Sequence, residues 1–240
     1  MAERLDKVIS NTTLQSRTVC KALIRSGAVS VNGVPVKTPE FHVDTGKDTI
    51  AVNGEPLSPR RFFYIMMNKP RGYLSATEDR YERTVLDLLP EEYGKCGLSP
   101  AGRLDRDTEG FLLLTNDGET AHRLMSPKHH AEKTYFVRVA GMLTDEHVRA
   151  IAQGLRIDGY TCLPAELKIV QKGENSEAFL TIREGKFHQI KRMMYFCGCE
   201  VTYLCRMSIA GVRLDPALAP GAWRFLTDAE ERAVRDAGKR

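Results

Sequence analysis

The sequence predicts an α+β fold in two domains. A small N-terminal domain of two helices and short strands occupies residues 1–58. A larger domain over 62–240 carries a mostly antiparallel, mixed sheet flanked by helices. Three observations lead there. Asn-Gly pairs at 32–33 and 53–54 each lie between short apolar runs, as hairpin turns do. The segment SPRR at 58–61 reads as a linker. Beyond it, strand-like and helix-like runs alternate without a regular βα repeat.

Each element follows from local pattern. Leu5, Val8 and Ile9 have helical spacing, and Ser16 stands where a helix cap belongs, ahead of SRTVCKALIRSG. In that second helix Val19, Leu23 and Ile24 form the expected apolar stripe, and Gly27 ends it. AVSVNGVPV reads as strand, turn and strand, and DTIAVNGEPL repeats the logic. From Phe62 onward FFYIMM, GFLLLT, KTYFVRVAG, LKIV and AFLTIREG read as strands. TVLDLL, GETAHRLM, TDEHVRAIAQG and FHQIKRMMYFCG read as helices.

Composition sets outer bounds. Apolar residues make up 42 % of 240, enough for a real core. No uncharged apolar stretch reaches the length a membrane span needs, and MAERLDKVIS has charges where a signal peptide needs an apolar core. A cytoplasmic protein without a membrane partner is the expectation. The six cysteines form no CxxC pair. Cys197, Cys199 and Cys205 with His188 could ligate a metal, as could His129 and His130, but buried thiols in a reducing compartment and RNA or structural contacts are the preferred readings, so no metal is expected.

The net charge of +4 is unevenly placed. Residues 1–37 hold six bases (Arg4, Lys7, Arg17, Lys21, Arg25, Lys37) against Glu3 and Asp6. Residues 183–213 hold six (Arg183, Lys186, Lys191, Arg192, Arg206, Arg213) against Glu184 and Glu200. Each island is therefore +4, and the remainder sums to −4. Two basic islands on an acidic chain suit a polyanion held at two places.

Within the first island Arg17, Lys21 and Arg25 recur every four residues, which puts them on one helix face able to follow successive phosphates. The plain alternative is a solvated charged face. RLDK, SR, IRSG and VNG together resemble an S4 RNA-binding domain over about fifty-five residues, and the likeness implies RNA contacts from Arg4, Lys7, Ser16, Arg17, Lys21 and Arg25.

The densest chemistry lies in GRLDRDTEGFLLLTNDG, residues 102–118, where a charged loop runs into an apolar strand. A carboxylate beside Arg103 and Arg106 at a strand edge is a candidate functional acid; a salt-bridged turn is the alternative. GRLD, then DTEG and LLLT, resembles the signature of the RsuA-like pseudouridine synthases. NKPRGY (68–73), HHAEKTY (129–135) and EGKFHQIKRM (184–193) resemble further family motifs in the family's order. The resemblance spans nearly the whole chain. It implies that Asp105 is the catalytic aspartate, that the ring of Tyr135 packs on the target uracil, and that Lys191 is the basic partner of Asp105. Many relatives carry arginine at that last place, so here a point charge replaces a fork. Asp107 is implied to order the loop. Lys69, Arg103, His130, Lys133, His188 and Arg192 are implied to surround the site or contact RNA.

Isomerising uridine breaks N1–C1′, turns the base and forms C5–C1′. No net oxidation occurs, which agrees with the lack of a GxxxxGK[ST] loop, and no cofactor is expected. Two unit charges about 4 Å apart gain roughly 4 kcal/mol at an effective dielectric of 20, so Lys191 would keep a half-buried Asp105 ionised. The resemblance further implies a monomer acting on ribosomal RNA, 16S rather than 23S because of KFHQIKRM and SPKHHAEKTY, or on a small-subunit assembly intermediate. Two other classes stay open: a non-catalytic RNA-binding assembly factor, and a hydrolase using Asp105 and Asp107 as a pair. For the latter, alternate residues of an extended segment are expected to point to opposite faces.

Overall fold

The computed structural model describes residues 2–13, 15–57, 62–126 and 131–239; the expected linker at 58–61 and His129 and His130 lie outside the described residues. The chain divides into two compact units, Met1–Phe63 with Leu89–Leu98, and Tyr64–Leu88 with Ser99–Arg240.

In the first unit, α1 (Leu5–Thr13) buries Leu5, Val8 and Ile9, the residues that gave it helical spacing. α2 (Arg17–Arg25) is capped by Ser16, whose hydroxyl accepts from the Val19 amide at 3.3 Å. Its buried stripe is Cys20 and Ile24 with Leu23 packed beside them. Val19 is 46 % exposed, which corrects the expected stripe by one residue. Four short strands follow: β1 (Val29–Val31), β2 (Val34–Pro35), β3 (Ile50–Val52) and β4 (Glu55–Leu57), in the order β2-β1-β3-β4. Both Asn-Gly turns have positive φ at each central residue, 51° and 79° at 32–33, 52° and 83° at 53–54. That backbone twist matches two-residue hairpins and is open to Asn and Gly at little cost.

The second unit is built on β5 (Tyr64–Lys69), β6 (Glu109–Thr115), β7 (Lys133–Ala140), β8 (Glu166–Gln171), β9 (Asn175–Ile182), β10 (Glu200–Ile209) and β11 (Trp223–Phe225). Their spatial order is β8-β9-β7-β10-β6-β5-β11. Along that path only β10 and β6 run parallel, pairing Cys205 with Glu109 and Arg206 with Gly110. The expected mixed, mostly antiparallel sheet is thus found. β5 and β6 are buried almost throughout, as strands covered on both faces are. β7 alternates, with Lys133, Tyr135, Val137 and Val139 inward. α3 (Gly118–Met125), α4 (Asp145–Gln153), α5 (Gln189–Phe196) and α6 (Asp228–Asp236) are the helices. No helix among the described residues is long and apolar enough to cross a membrane.

One expectation is corrected, and two elements were not foreseen. TVLDLL forms only a four-residue 3-10 turn, Val85–Leu88. β10 carried no clear strand signal, because two register shifts against β7 break its alternation and Arg206 interrupts its apolar run. α6 was hidden by its polarity: only Val234 is buried in it.

Gly110 shows why this sheet needs a glycine. Its φ is +100°, and a Cβ there would overlap the backbone of Arg206 on the parallel neighbour.

Candidate active site

The loop between Ala101 and β6 is stapled from beneath. Lys69, at the end of β5, is fully buried, and its ammonium donates to the carbonyls of Pro70 (3.0 Å), Asp105 (3.1 Å), Arg106 (3.3 Å) and Thr108 (2.9 Å). The Ser75 hydroxyl joins both the amide and the carbonyl of Leu104 at 3.0 Å, and Arg71 donates to the Asp107 carbonyl at 3.0 Å. Burial pushes Lys69 down to about 8 despite the nearby Asp107, Glu109 and Asp105 carboxylates. Lys69 therefore shapes the loop and does not reach RNA, a correction to its expected role.

That stapled loop turns sharply at 105–108, where the Thr108 amide donates to the Asp105 carbonyl at 3.1 Å. The turn points both carboxylates at one cation. Lys191, in the first turn of α5, lies 3.4 Å from Asp105 Oδ2 and donates to Asp107 at 2.7 and 2.8 Å. The expectation of opposite faces fails because the segment is a turn and not extended chain. Burial works against the charge on Asp107, but the Lys191 hydrogen bonds and charge win and hold it below the usual carboxylate range. Asp107 is thus no proton-carrying member of an acid pair. His188 Nε2 stands 3.6 Å from Asp105 Oδ1. His188 itself has φ 49°, in the left-handed region that few non-glycine residues enter, histidine more often than most.

Asp105, Lys191, His188, Tyr135 and Arg103 line one cleft, with Gln189 and Leu204 completing part of its wall. Asp105 keeps 30 % of its side chain exposed at the mouth. Tyr135 is only 7 % exposed. Its hydroxyl receives a long hydrogen bond, 3.4 Å, from Arg206, whose Nε donates to the Phe111 carbonyl at 2.7 Å. Arg206 is 1 % exposed, and its second amino nitrogen finds no partner among the described residues. Sequence reasoning counted Arg206 only as basic charge; the signal for its role is a lone arginine inside the apolar run YLCRMSI. Lys133 is also buried, donating to the Ala131 carbonyl at 2.9 Å, with burial and then Arg206 pushing it to about 8. It supports the floor and, contrary to expectation, is not available to RNA.

The remaining expected contacts divide. Arg103 is exposed at the cleft and Arg106 pairs with Glu82 at 3.0 Å. Arg192 is bonded to Asp158. His130 lies outside the described residues. In the first unit Asp6 is fully buried and takes Arg4 and Arg17 together, each with a 3.0 Å contact, while Arg4 also reaches Glu40 at 2.9 Å. Lys7 pairs with Glu3 at 3.1 Å, and Ser16 serves as the α2 cap. Lys21 and Arg25 have no carboxylate partner among the described residues. No group of three or more His, Cys, Asp or Glu among the described residues is arranged to hold a metal ion.

Comparison with known proteins gives the family. Residues 63–195 match the RNA pseudouridylate synthase family and residues 3–50 match the S4 domain. An uncharacterised RNA pseudouridine synthase of Bacillus subtilis is 49 % identical over 95 % of this chain and 96 % of its own length. The ribosomal small subunit pseudouridine synthase A of Escherichia coli is 39 % identical over 96 % of this chain and 99 % of its own. A crystal structure of a pseudouridylate synthase superimposes with a TM-score of 0.68 at 36 % identity, covering 96 % of this chain and 99 % of that one. With a cleft that gathers the signature aspartate, a lysine and a tyrosine, and with these likenesses over nearly its full length, the chain belongs to the RNA pseudouridylate synthase family, in its RsuA-like branch, as an isomerase carrying an S4 domain.

Proposed function

We propose that this enzyme converts one uridine of 16S ribosomal RNA to pseudouridine, free or in a small-subunit assembly intermediate, with Asp105 as the catalytic carboxylate. The observation that carries the reading is the meeting of Asp105, Lys191 and Tyr135, from three distant segments, in one cleft. Relatives named for the small ribosomal subunit favour 16S over the 23S alternative.

A uridine inside a helix or fold hides its sugar, so it must be everted into the cleft, most cheaply from an RNA loop. Asp105, still partly open to solvent, meets C1′ or the sugar proton, by covalent addition or by proton removal. In either route the N1–C1′ electron pair leaves with the uracil. After rotation C5 bonds C1′; in the covalent route the Asp105–C1′ bond breaks as C5–C1′ forms, in the other the proton taken from the sugar is returned to it, and in both the C5 proton is lost and N1 gains one. Lys191, shared with Asp107, supplies a positive charge 3.4 Å from the Asp105 carboxylate. Tyr135, braced by Arg206, holds the detached uracil through its ring, a contact worth on the order of 1–3 kcal/mol.

The test is pseudouridine mapping of rRNA from cells lacking the gene, complemented with wild type or with Asp105→Asn. One 16S position should lose its modification, return with wild type and stay unmodified with Asp105→Asn, although that variant still folds and binds RNA. Loss at a 23S position would reassign the substrate. An unchanged map, or rescue by Asp105→Asn, would overturn the proposal.

A further inference from the structure

The outer side of α5 carries large rings that neither the core nor the chemistry at Asp105 explains. Phe187 is 75 % exposed, Tyr195 78 % and Phe196 49 %. Phe187, Lys191 and Tyr195 are spaced by four residues, as are His188, Arg192 and Phe196. Within α5 the cations Lys191 and Arg192 and the rings Tyr195 and Phe196 follow one another along one helix side, about 6 Å per step, and Phe187 and His188 stand just before its first turn. The segment 185–196, GKFHQIKRMMYF, contains no acid.

These groups are placed and not merely loose. The Phe187 ring stacks on His188 with centroids 3.8 Å apart and planes at 17°, and His188 also lines the cleft. Tyr195 and Phe196 meet edge to face at 6.4 Å. Lys186 sits 3.6 Å above the Tyr160 ring centroid, with the Arg192 guanidinium 5.5 Å from the same centroid. Lys186 has no carboxylate within ion-pair distance among the described residues.

We infer that this side of α5 is a track for the single-stranded RNA flanking the target uridine. One base stacks on Phe187 at the lip of the cleft and another on Tyr195 or Phe196. The phosphates between them pass Lys186 and Arg192. Rings interleaved with cations, on a segment with no acid of its own and continuous with the cleft through His188 and Lys191, match a polyanion that carries aromatic bases better than they match a protein surface, and a phosphate at Arg192 takes the place of its Asp158 partner. The inference rests on the cleft being the uridine site, and it adds that the substrate is bound as unpaired strand on one defined side of it.

The experiment uses the full chain, a fluorescein-labelled single-stranded RNA of mixed sequence, and the same RNA carrying 2-aminopurine. Phe187→Leu and Tyr195→Leu keep apolar bulk but lose the ring. Because both rings are exposed, the variants should melt like wild type. Each should weaken RNA binding about tenfold, relieve the quenching of 2-aminopurine, and raise KM with kcat nearly unchanged on a 16S rRNA transcript. Lys186→Gln should instead flatten the salt dependence by about 0.7 in logarithmic slope. Unchanged affinity and quenching in the Phe187→Leu/Tyr195→Leu double variant, while wild type still forms pseudouridine, would overturn the track and leave the Asp105 reading standing. Self-association of wild type through this side, with RNA affinity intact in the variants, would overturn it in favour of a protein contact. Weakened RNA binding in the variants, with no pseudouridine formed by wild type, would uphold the track and overturn the reading of the cleft.

Discussion

The two basic islands have the same inventory, six bases against two acids, yet the structure uses them in opposite ways. In the N-terminal island an acid within the island, Asp6, draws in Arg4 and Arg17 and leaves Lys21 and Arg25 without a carboxylate partner among the described residues. In the 183–213 island the acids come from elsewhere in the sequence. Lys191 meets Asp105 and Asp107, Arg192 meets Asp158, and Arg183 meets Glu132 at 2.6 Å. Arg206 is buried with backbone and a phenol as its partners. One island keeps its free charge on a helix face for a polyanion; the other builds a cleft from most of its charges and leaves Lys186 beside it without a carboxylate partner among the described residues. A count of charges along the chain cannot tell these apart, because partners are set by the fold.

Lys69, outside both islands, is the extreme case of a cation used for construction, and its loss should have the largest effect. Lys69→Met removes the ammonium from four carbonyls; those of Asp105 and Arg106 keep a backbone amide donor, whereas the buried Thr108 carbonyl loses its lysine donor, at about 1–3 kcal/mol for a group that water cannot reach. Activity should vanish and the melting temperature fall by many degrees in calorimetry; near-normal turnover would show that the Asp105 loop stands without its ammonium. The same group makes a pH prediction. Its folded value of about 8 lies below the ordinary 10.5. Between those limits the unfolded chain holds a proton that the folded chain has released, so this group's contribution to stability rises with pH across the window and is lost as pH falls through 8. Turnover should move the other way above pH 8, because the neutral amine has one N–H fewer for the same four carbonyls. Rate and melting profiles of wild type against Lys69→Met would separate the two trends.

Next in size is Lys191→Met. Removing a charge partner from a partly closed site should lower kcat about a hundredfold, with RNA affinity changed less than about threefold, since one phosphate contact is the most binding has to lose. Single-turnover rates and anisotropy measure the two separately. Equal losses would place Lys191 with the phosphate contacts and erase the contrast between the islands.

Much of this was legible before any coordinates. The hairpins, the capped α2 and the charged loop ahead of LLLT each follow from local pattern, and the motif resemblance brought Asp105, Tyr135 and Lys191 together. What stayed hidden depends on geometry that residue types do not display. Lys69 and Lys133 look like surface lysines, as most lysines are, until backbone carbonyls are seen to surround them. Asp105 and Asp107 look opposed until the chain turns between them. β10 looks irregular until its bulges against β7 are aligned, and with it Arg206 was missed.

Smaller effects test the N-terminal island. Asp6→Asn replaces the buried carboxylate shared by two arginines with an amide that keeps one acceptor oxygen and turns a donor toward a guanidinium, and it should cost about 2 kcal/mol of stability, because hydrogen bonds to charged groups are worth roughly that much. It should also release Arg17, and Arg4 in part, toward phosphates. If so, the logarithmic salt dependence of RNA binding steepens by about 0.7 to 1.4, the value expected for one or two new contacts on single strands. A loss of stability with no change of slope would mean that freed arginines do not reach the RNA.

Lys21→Gln and Arg25→Gln should have the smallest effect, and they carry the sharpest reading. Both side chains lie one and two helical turns beyond Arg17 on α2, and with no acid to release, their removal should leave the melting temperature within a degree or two. Each should instead flatten the salt dependence by about 0.7 and weaken binding at low salt more than at high salt. Affinity titrated across salt for each single variant and for the pair decides the matter, because two independent phosphate contacts add in the slope. A pair no flatter than wild type would mean that the free charge of this helix faces water, and that RNA is gripped by the C-terminal island alone.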